Sequence, residues 1–109
     1  MNYSIEQLCN FAGYTYNELY KRTRNQTKVY ARYVIIDYLL KHNHTHKDAA
    51  GYFGLNHSTC DHALKSLNNP FNHIAVNAIR VFNINMKEYK ELNKAINEQE
   101  AFIYESLTL

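Results

Sequence analysis

The run Phe53-Gly54-Leu55-Asn56-His57-Ser58-Thr59-Cys60-Asp61-His62-Ala63-Leu64-Lys65-Ser66-Leu67 decides how this chain is read. Gly54 has no Cβ, so it can adopt the positive φ of a tight turn between two helices. Asn56 has the short, oxygen-bearing side chain of an N-cap, able to accept from the free backbone donors one turn in. Cys60, Ala63, Leu64 and Leu67 recur at i, i+3, i+4 and i+7, which predicts a helix with one apolar face. His57, Ser58, Asp61, His62 and Lys65 occupy the other side. A first turn with little bulk and many hydrogen-bonding groups suits a helix whose N-terminal end enters a DNA major groove. An ordinary amphipathic surface helix has the same apolar spacing, so the neighbouring segments must decide between the two.

Upstream, Thr45-His46-Lys47-Asp48-Ala49-Ala50-Gly51-Tyr52 reads as a short helix with Thr45 as N-cap and Asp48 as a weaker capping-box partner. Two short helices joined at Phe53-Gly54 have the spacing of a helix-turn-helix. At this point the run resembles the C-terminal DNA-binding domain of the bacterial replication initiator DnaA. That family has an acidic residue, an Ile-Gly-like pair and Phe-Gly, then Arg-Asp-His-Thr-Thr-Val-x-His-Ala. Here stand Asp48, Ala49-Ala50 and Phe53-Gly54, then Leu55-Asn56-His57-Ser58-Thr59-Cys60-Asp61-His62-Ala63. His57, Thr59, His62 and Ala63 match, and Ser58 is a conservative change. Leu55 and Asn56 replace the family's Arg and Asp. The resemblance covers residues 4–69 and implies a Trp-repressor-like, all-α fold.

At 109 residues, the length fits one domain with a modest core and an appendage. With 46% hydrophobic and 20% charged residues the chain should fold. No apolar run approaches the ~20 residues of a membrane span, and the N-terminus does not read as a secretory signal. Cys9 and Cys60 sit at apolar-periodic positions, which predicts buried free thiols in a reducing cytoplasm rather than a disulfide.

The net charge is only +2, but it is unevenly spread. Residues 20–47 hold seven basic residues (Lys21, Arg22, Arg24, Lys28, Arg32, Lys41 and Lys47) against Asp37 alone. Residues 48–109 hold five basic and seven acidic residues. A concentrated basic segment ahead of a helix-turn-helix is the electrostatic footprint of a phosphate-binding face. A solvated basic loop is the plainer reading.

From the N-terminus, Ser4-Ile5-Glu6-Gln7 is a capping box that opens a helix through Phe11, stopped by Gly13. Thr15-Tyr16-Asn17-Glu18 is a second capping box, starting a short helix that carries Leu19 inward and runs out into the Lys/Arg loop. Residues 26–42 are apolar nearly all round, which predicts a helix buried between neighbours. Within it, Ala31-Arg32-Tyr33-Val34 resembles the Ala-Arg-Gln-Val of the DnaA central helix, which would put Arg32 at the rim of the DNA face. The plainer role for Arg32 is aliphatic packing. Pro70 ends the helix of the opening run. A helix from Asn72 or His73 to Phe82 should follow, with Ile74, Ala78, Ile79 and Phe82 or Val81 inward. A break is expected at Asn83-Ile84-Asn85. Met86 to Leu107 then reads as an amphipathic helix with Tyr89, Leu92, Ile96, Ile103 and Leu107 on one stripe. It would either fold back over the core or dimerise.

His42-Asn43-His44-Thr45-His46 is too poor in ligands for zinc, since the two cysteines are not paired in spacing and His57 and His62 are five apart. No phosphate-loop pattern is present, so no nucleotide-driven chemistry is expected. The expectation is therefore an all-α helical bundle with a helix-turn-helix in residues 1–69 and a helical extension in 70–109. It would be a cytoplasmic, nucleoid-associated protein without enzymatic activity or cofactor. Its partners would be double-stranded DNA and a second copy through the C-terminal helix, with neither a membrane nor a nucleotide. Lys21, Arg22, Arg24, Lys28, Arg32 and Lys47 would contact phosphates, with Arg22 or Arg24 reaching into a minor groove. His57, Ser58, Thr59 and His62 would read base edges, with Asn56 and Lys65 at the margins and Thr45 and His46 beside them. Replication-origin recognition or transcriptional regulation, in a phage or mobile element, is the expected role. The alternative is a protein-interaction module on the same fold, suggested by Leu55 and the acidic second half.

Overall fold

The computed structural model describes residues 3–20 and 22–108, with side chains described through residue 100. Lys21 therefore lies outside the described residues, as do the side chains of Ile103 and Leu107. Helices are α1 (Ile5–Phe11), α2 (Tyr16–Tyr20), α3 (Gln26–Lys41), α4 (His46–Gly51), α5 (Thr59–Leu67) and α6 (His73–Thr108). No strand occurs among the described residues.

Local capping explains the first helix starts. Ser4 Oγ accepts from the Gln7 amide, and the Gln7 side chain accepts from the Ser4 amide, closing the box at α1. Thr15 and Glu18 repeat the arrangement at α2. Gly13 leaves α1 with φ +93°, a left-handed conformation that suits a glycine. Asn25 caps α3 through the Thr27 amide, and Thr45 caps α4 through the Asp48 amide.

The central helix α3 is the spine, as its nearly all-round apolar surface predicts. Ala31, Val34, Ile35, Ile36 and Leu39 are buried, and both α5 and α6 pack against it. From α1 come Leu8, Cys9 and Phe11, from α2 Leu19, from α4 Ala49 and Ala50, and from α5 Cys60 and Leu67. Both cysteines are buried and unpaired. Cys60 Sγ lies 3.4 Å from the His46 carbonyl oxygen, tying α5 to the start of α4.

Two expectations for the C-terminal region are corrected. There is no break at Asn83-Ile84-Asn85, because α6 runs unbroken from His73 to Thr108. The segment contains neither Gly nor Pro. Asn85, taken as a helix breaker, is held in place instead, with its Nδ2 donating to the Phe11 carbonyl at 2.8 Å. The inward stripe differs at its first position: Ala75 is buried in place of the expected Ile74, which is 36% exposed, while Ala78, Ile79 and Phe82 pack inward as expected. The start is pinned by Asn72, whose Oδ1 accepts from the Ile74 and Ala75 amides and whose Nδ2 donates to Tyr30 Oη at 2.7 Å.

From Ala75 to Tyr89, α6 covers the core. Phe82 meets the rings of Phe11 and Tyr38, and Tyr89 meets those of Tyr3 and Phe11. Tyr89 Oη also accepts from Gln7 Nε2 at 3.0 Å. Beyond this point the stripe is uncovered, with Leu92 61% and Ile96 43% exposed. A 36-residue helix spans ~54 Å at ~1.5 Å per residue. The 58 Å long axis of the molecule is set by this helix.

Candidate nucleic-acid interface

The candidate surface is built by two connections. The first is residues 22–25 between α2 and α3, and the second is residues 52–58 between α4 and α5. Three contacts bring them together. Gly54 sits at φ +67°, and a Cβ placed there would come within 3.2 Å of Tyr20 Oη, at the end of α2. The Tyr16 hydroxyl donates to the Tyr52 carbonyl. Arg22, Thr23 and Arg24 line one cavity together with Leu55 and with Arg32 of α3. The arginine loop and the turn before α5 are therefore neighbours in space, although they are some 30 residues apart.

Asn56 does not cap α5, and this corrects the sequence reading. Its Oδ1 accepts from the Ser58 amide at 3.2 Å, and its carbonyl accepts from the Thr59 amide. These bonds close a tight turn at residues 56–59 and delay the helix to Thr59. Ser58 stands at the N-cap position without a side-chain capping bond. His57 and Ser58 are thus exposed in the turn rather than on the helix, while Thr59 is half-buried as its first residue. His62 is exposed and meets the edge of the Tyr33 ring at 5.9 Å, and Lys65 is exposed further along α5.

The basic residues fall into four settings. Arg22 and Arg24 are exposed. Lys28 is half-buried, with its ammonium 5.9 Å from the centre of the Tyr14 ring. Arg32 is not at a rim: it is 6% exposed, beneath the arginine loop. Its position in α3 places it one residue after buried Ala31 and two before buried Val34, so the inward side of α3 takes it in. Burial lowers its pKa from the ordinary arginine value, because the charged form loses hydration. Thr45, His46 and Lys47 are exposed at the start of α4, where Thr45 serves as the cap.

Residues that sequence reasoning missed here are Thr23, Tyr16 and Tyr20. Thr23 shares the arginine-lined cavity, and the two tyrosines brace the second connection from α2. Only tyrosine spacing within α2 hinted at them, since Tyr16 and Tyr20 are one helical turn apart and their rings lie 5.8 Å apart. Among the described residues, no three His, Cys, Asp or Glu side chains converge as metal ligands, and no helix is long and apolar enough to cross a membrane.

No protein-family model, curated protein or solved structure matches this chain.

Proposed function

We propose that this chain is a double-stranded DNA-binding domain of the helix-turn-helix type, with α4 and α5 as the paired helices. The observation that carries the reading is the shared cavity of Arg22, Arg24 and Leu55. It puts the sequence-blind cationic loop beside the turn that bears the exposed His57 and Ser58. Phosphate contacts from Arg22, Arg24 and Lys47 would supply most of the affinity. Asn56, His57, Ser58 and His62, with Lys65 at the edge, would meet base edges, and Thr59 would offer its methyl to a thymine. The resemblance to the DnaA C-terminal domain points the same way, toward origin recognition or transcriptional control. Leu55, where that family has Arg, implies a different target sequence. Selection of bound duplexes from a random pool, at two salt concentrations, tests the reading. Enrichment of one motif with strong salt dependence is expected, and recovery of an unenriched pool would overturn it.

The uncovered stripe of Leu92 and Ile96 favours a second reading, in which α6 binds protein. A second copy pairing through this stripe would give a dimer with two reading surfaces. A molecular mass in solution that stays at 12.9 kDa at high micromolar concentration would rule that out.

A further inference from the structure

Arg32 is a buried arginine with no carboxylate partner among the described residues. Its Nε is buried with no hydrogen-bond partner. The ion pair present among the described residues is Lys41 with Asp37, at 2.9 Å, and it does not involve this group. A buried cation is normally paired with a carboxylate or held by several acceptors, because losing its hydration is costly. Among the described residues Arg32 has neither, and it lines an open cleft of about 460 Å³ together with Arg22, Thr23, Arg24 and Leu55. Three guanidinium groups thus surround one space into which no acidic residue projects. Water screens the exposed pair in part, and an anion seated among the three would offset their mutual repulsion directly. The volume lies in the ~300–1,000 Å³ range of small-molecule sites.

We propose that this cavity binds the phosphate group of a small free ligand, with Arg32 as the inner donor and Arg22 and Arg24 as the outer clamp. A guanidinium presents its N–H groups as a planar fork that fits phosphate oxygens two at a time. Phosphate suits the site better than a carboxylate because it brings up to two negative charges and more acceptor oxygens to three cations. The Thr23 hydroxyl adds a neutral donor, and Leu55 offers an apolar wall to whatever the phosphate is attached to. The exposed arginines can close over a ligand, whereas Arg32 is already fixed by the packing of α3. This site needs only the cavity and its arginines, so it does not depend on the DNA reading.

The test is titration of the intact protein with inorganic phosphate, and separately with ribose 5-phosphate, against sodium chloride of equal ionic strength. Thermal unfolding and phosphorus NMR linewidths are the readouts. A saturable rise in Tm with broadening of the phosphorus signal is expected, absent with chloride. Tighter binding of ribose 5-phosphate than of phosphate would assign the Leu55 wall to an organic group, and equal binding would assign the site to free phosphate. Arg22→Ala with Arg24→Ala, both exposed, should weaken binding at least tenfold without unfolding the protein. Arg32→Met should remove binding and leave the helical circular dichroism unchanged. If that variant does not fold, the double variant alone decides. A phosphate effect no larger than that of chloride, or one untouched by the double variant, overturns the proposal. Duplex binding by the same proteins is scored apart: phosphate bound without DNA sinks the DNA reading alone, and DNA bound without phosphate sinks this one alone.

Discussion

Gly54 shows how much a single position settles. Its φ of +67° costs an L-residue roughly 1–2 kcal/mol, and an added Cβ would press on Tyr20 Oη at 3.2 Å. Gly54→Ala is therefore expected to destabilise the fold by about 1–3 kcal/mol, read from urea unfolding. A change below ~0.5 kcal/mol would mean the turn tolerates a right-handed alternative. His57 is the opposite kind of residue, exposed and unburdened by packing. His57→Ala should shift stability by less than ~0.5 kcal/mol, yet lower specific duplex affinity about five- to hundredfold if it meets a base. Thr59→Ala should show a similar loss of specificity with a larger stability cost, because Thr59 is half-buried. Equal binding of all duplexes by parent and variants would remove His57 and Thr59 from the reading set. Cys9 adds a pH dependence. Burial pushes its thiol from 9.0 up to about 12. The unfolded thiol ionises first, so the stabilisation is complete below pH ~9 and is lost between pH ~9 and ~12. Cys9→Ala should flatten that alkaline decline in chemical unfolding measured across pH.

At the scale of elements, α6 does two jobs along one length. Its first half closes the core through Ala75, Phe82 and Tyr89, and its second half carries Leu92 and Ile96 into solvent. Truncation after Pro70 should abolish cooperative unfolding, since it strips the aromatic cover from Phe11 and Tyr38. Truncation after Lys90 should leave the fold intact, with a circular dichroism loss limited to the removed turns. If truncation after Pro70 still melts cooperatively, α6 is not part of the folding unit. The capping boxes of α1 and α2 were legible in the sequence because each depends on residues only three apart. The expected break in α6 was wrong for the complementary reason. Asparagine is a weak helix former, but Asn85 gains a tertiary partner in the Phe11 carbonyl, which no local pattern announces.

Over the whole molecule, the uneven charge becomes a spatial property. Residues 20–47 carry all of the excess positive charge, since the segments on either side are net negative, and their arginine loop lies beside the turn before α5. Arg22→Ala with Arg24→Ala should therefore weaken binding to every duplex alike and flatten the salt dependence by roughly one unit of slope per lost phosphate contact. Fluorescence anisotropy at several salt concentrations measures this, and an unchanged slope would show that the loop does not touch the backbone.

Helix type, the apolar face of α5, the burial of α3 and the left-handed turns at Gly13 and Gly54 could all be read from residue order. Each follows from interactions within a turn or two of the chain, or from a periodicity that only one secondary structure satisfies. The depth of Arg32, the single unbroken span of α6 and the seating of Asn56 in a turn rather than a cap could not. The first two depend on a group from a distant segment arriving to cover or anchor them, and the third on a choice between two local hydrogen-bond patterns that the same residues allow. The candidate site belongs to this second kind. Arg24, Arg32 and Leu55 become neighbours only when α2, α3 and the α4–α5 connection pack, because a cavity is a property of surfaces that meet, and residue order does not specify which surfaces meet.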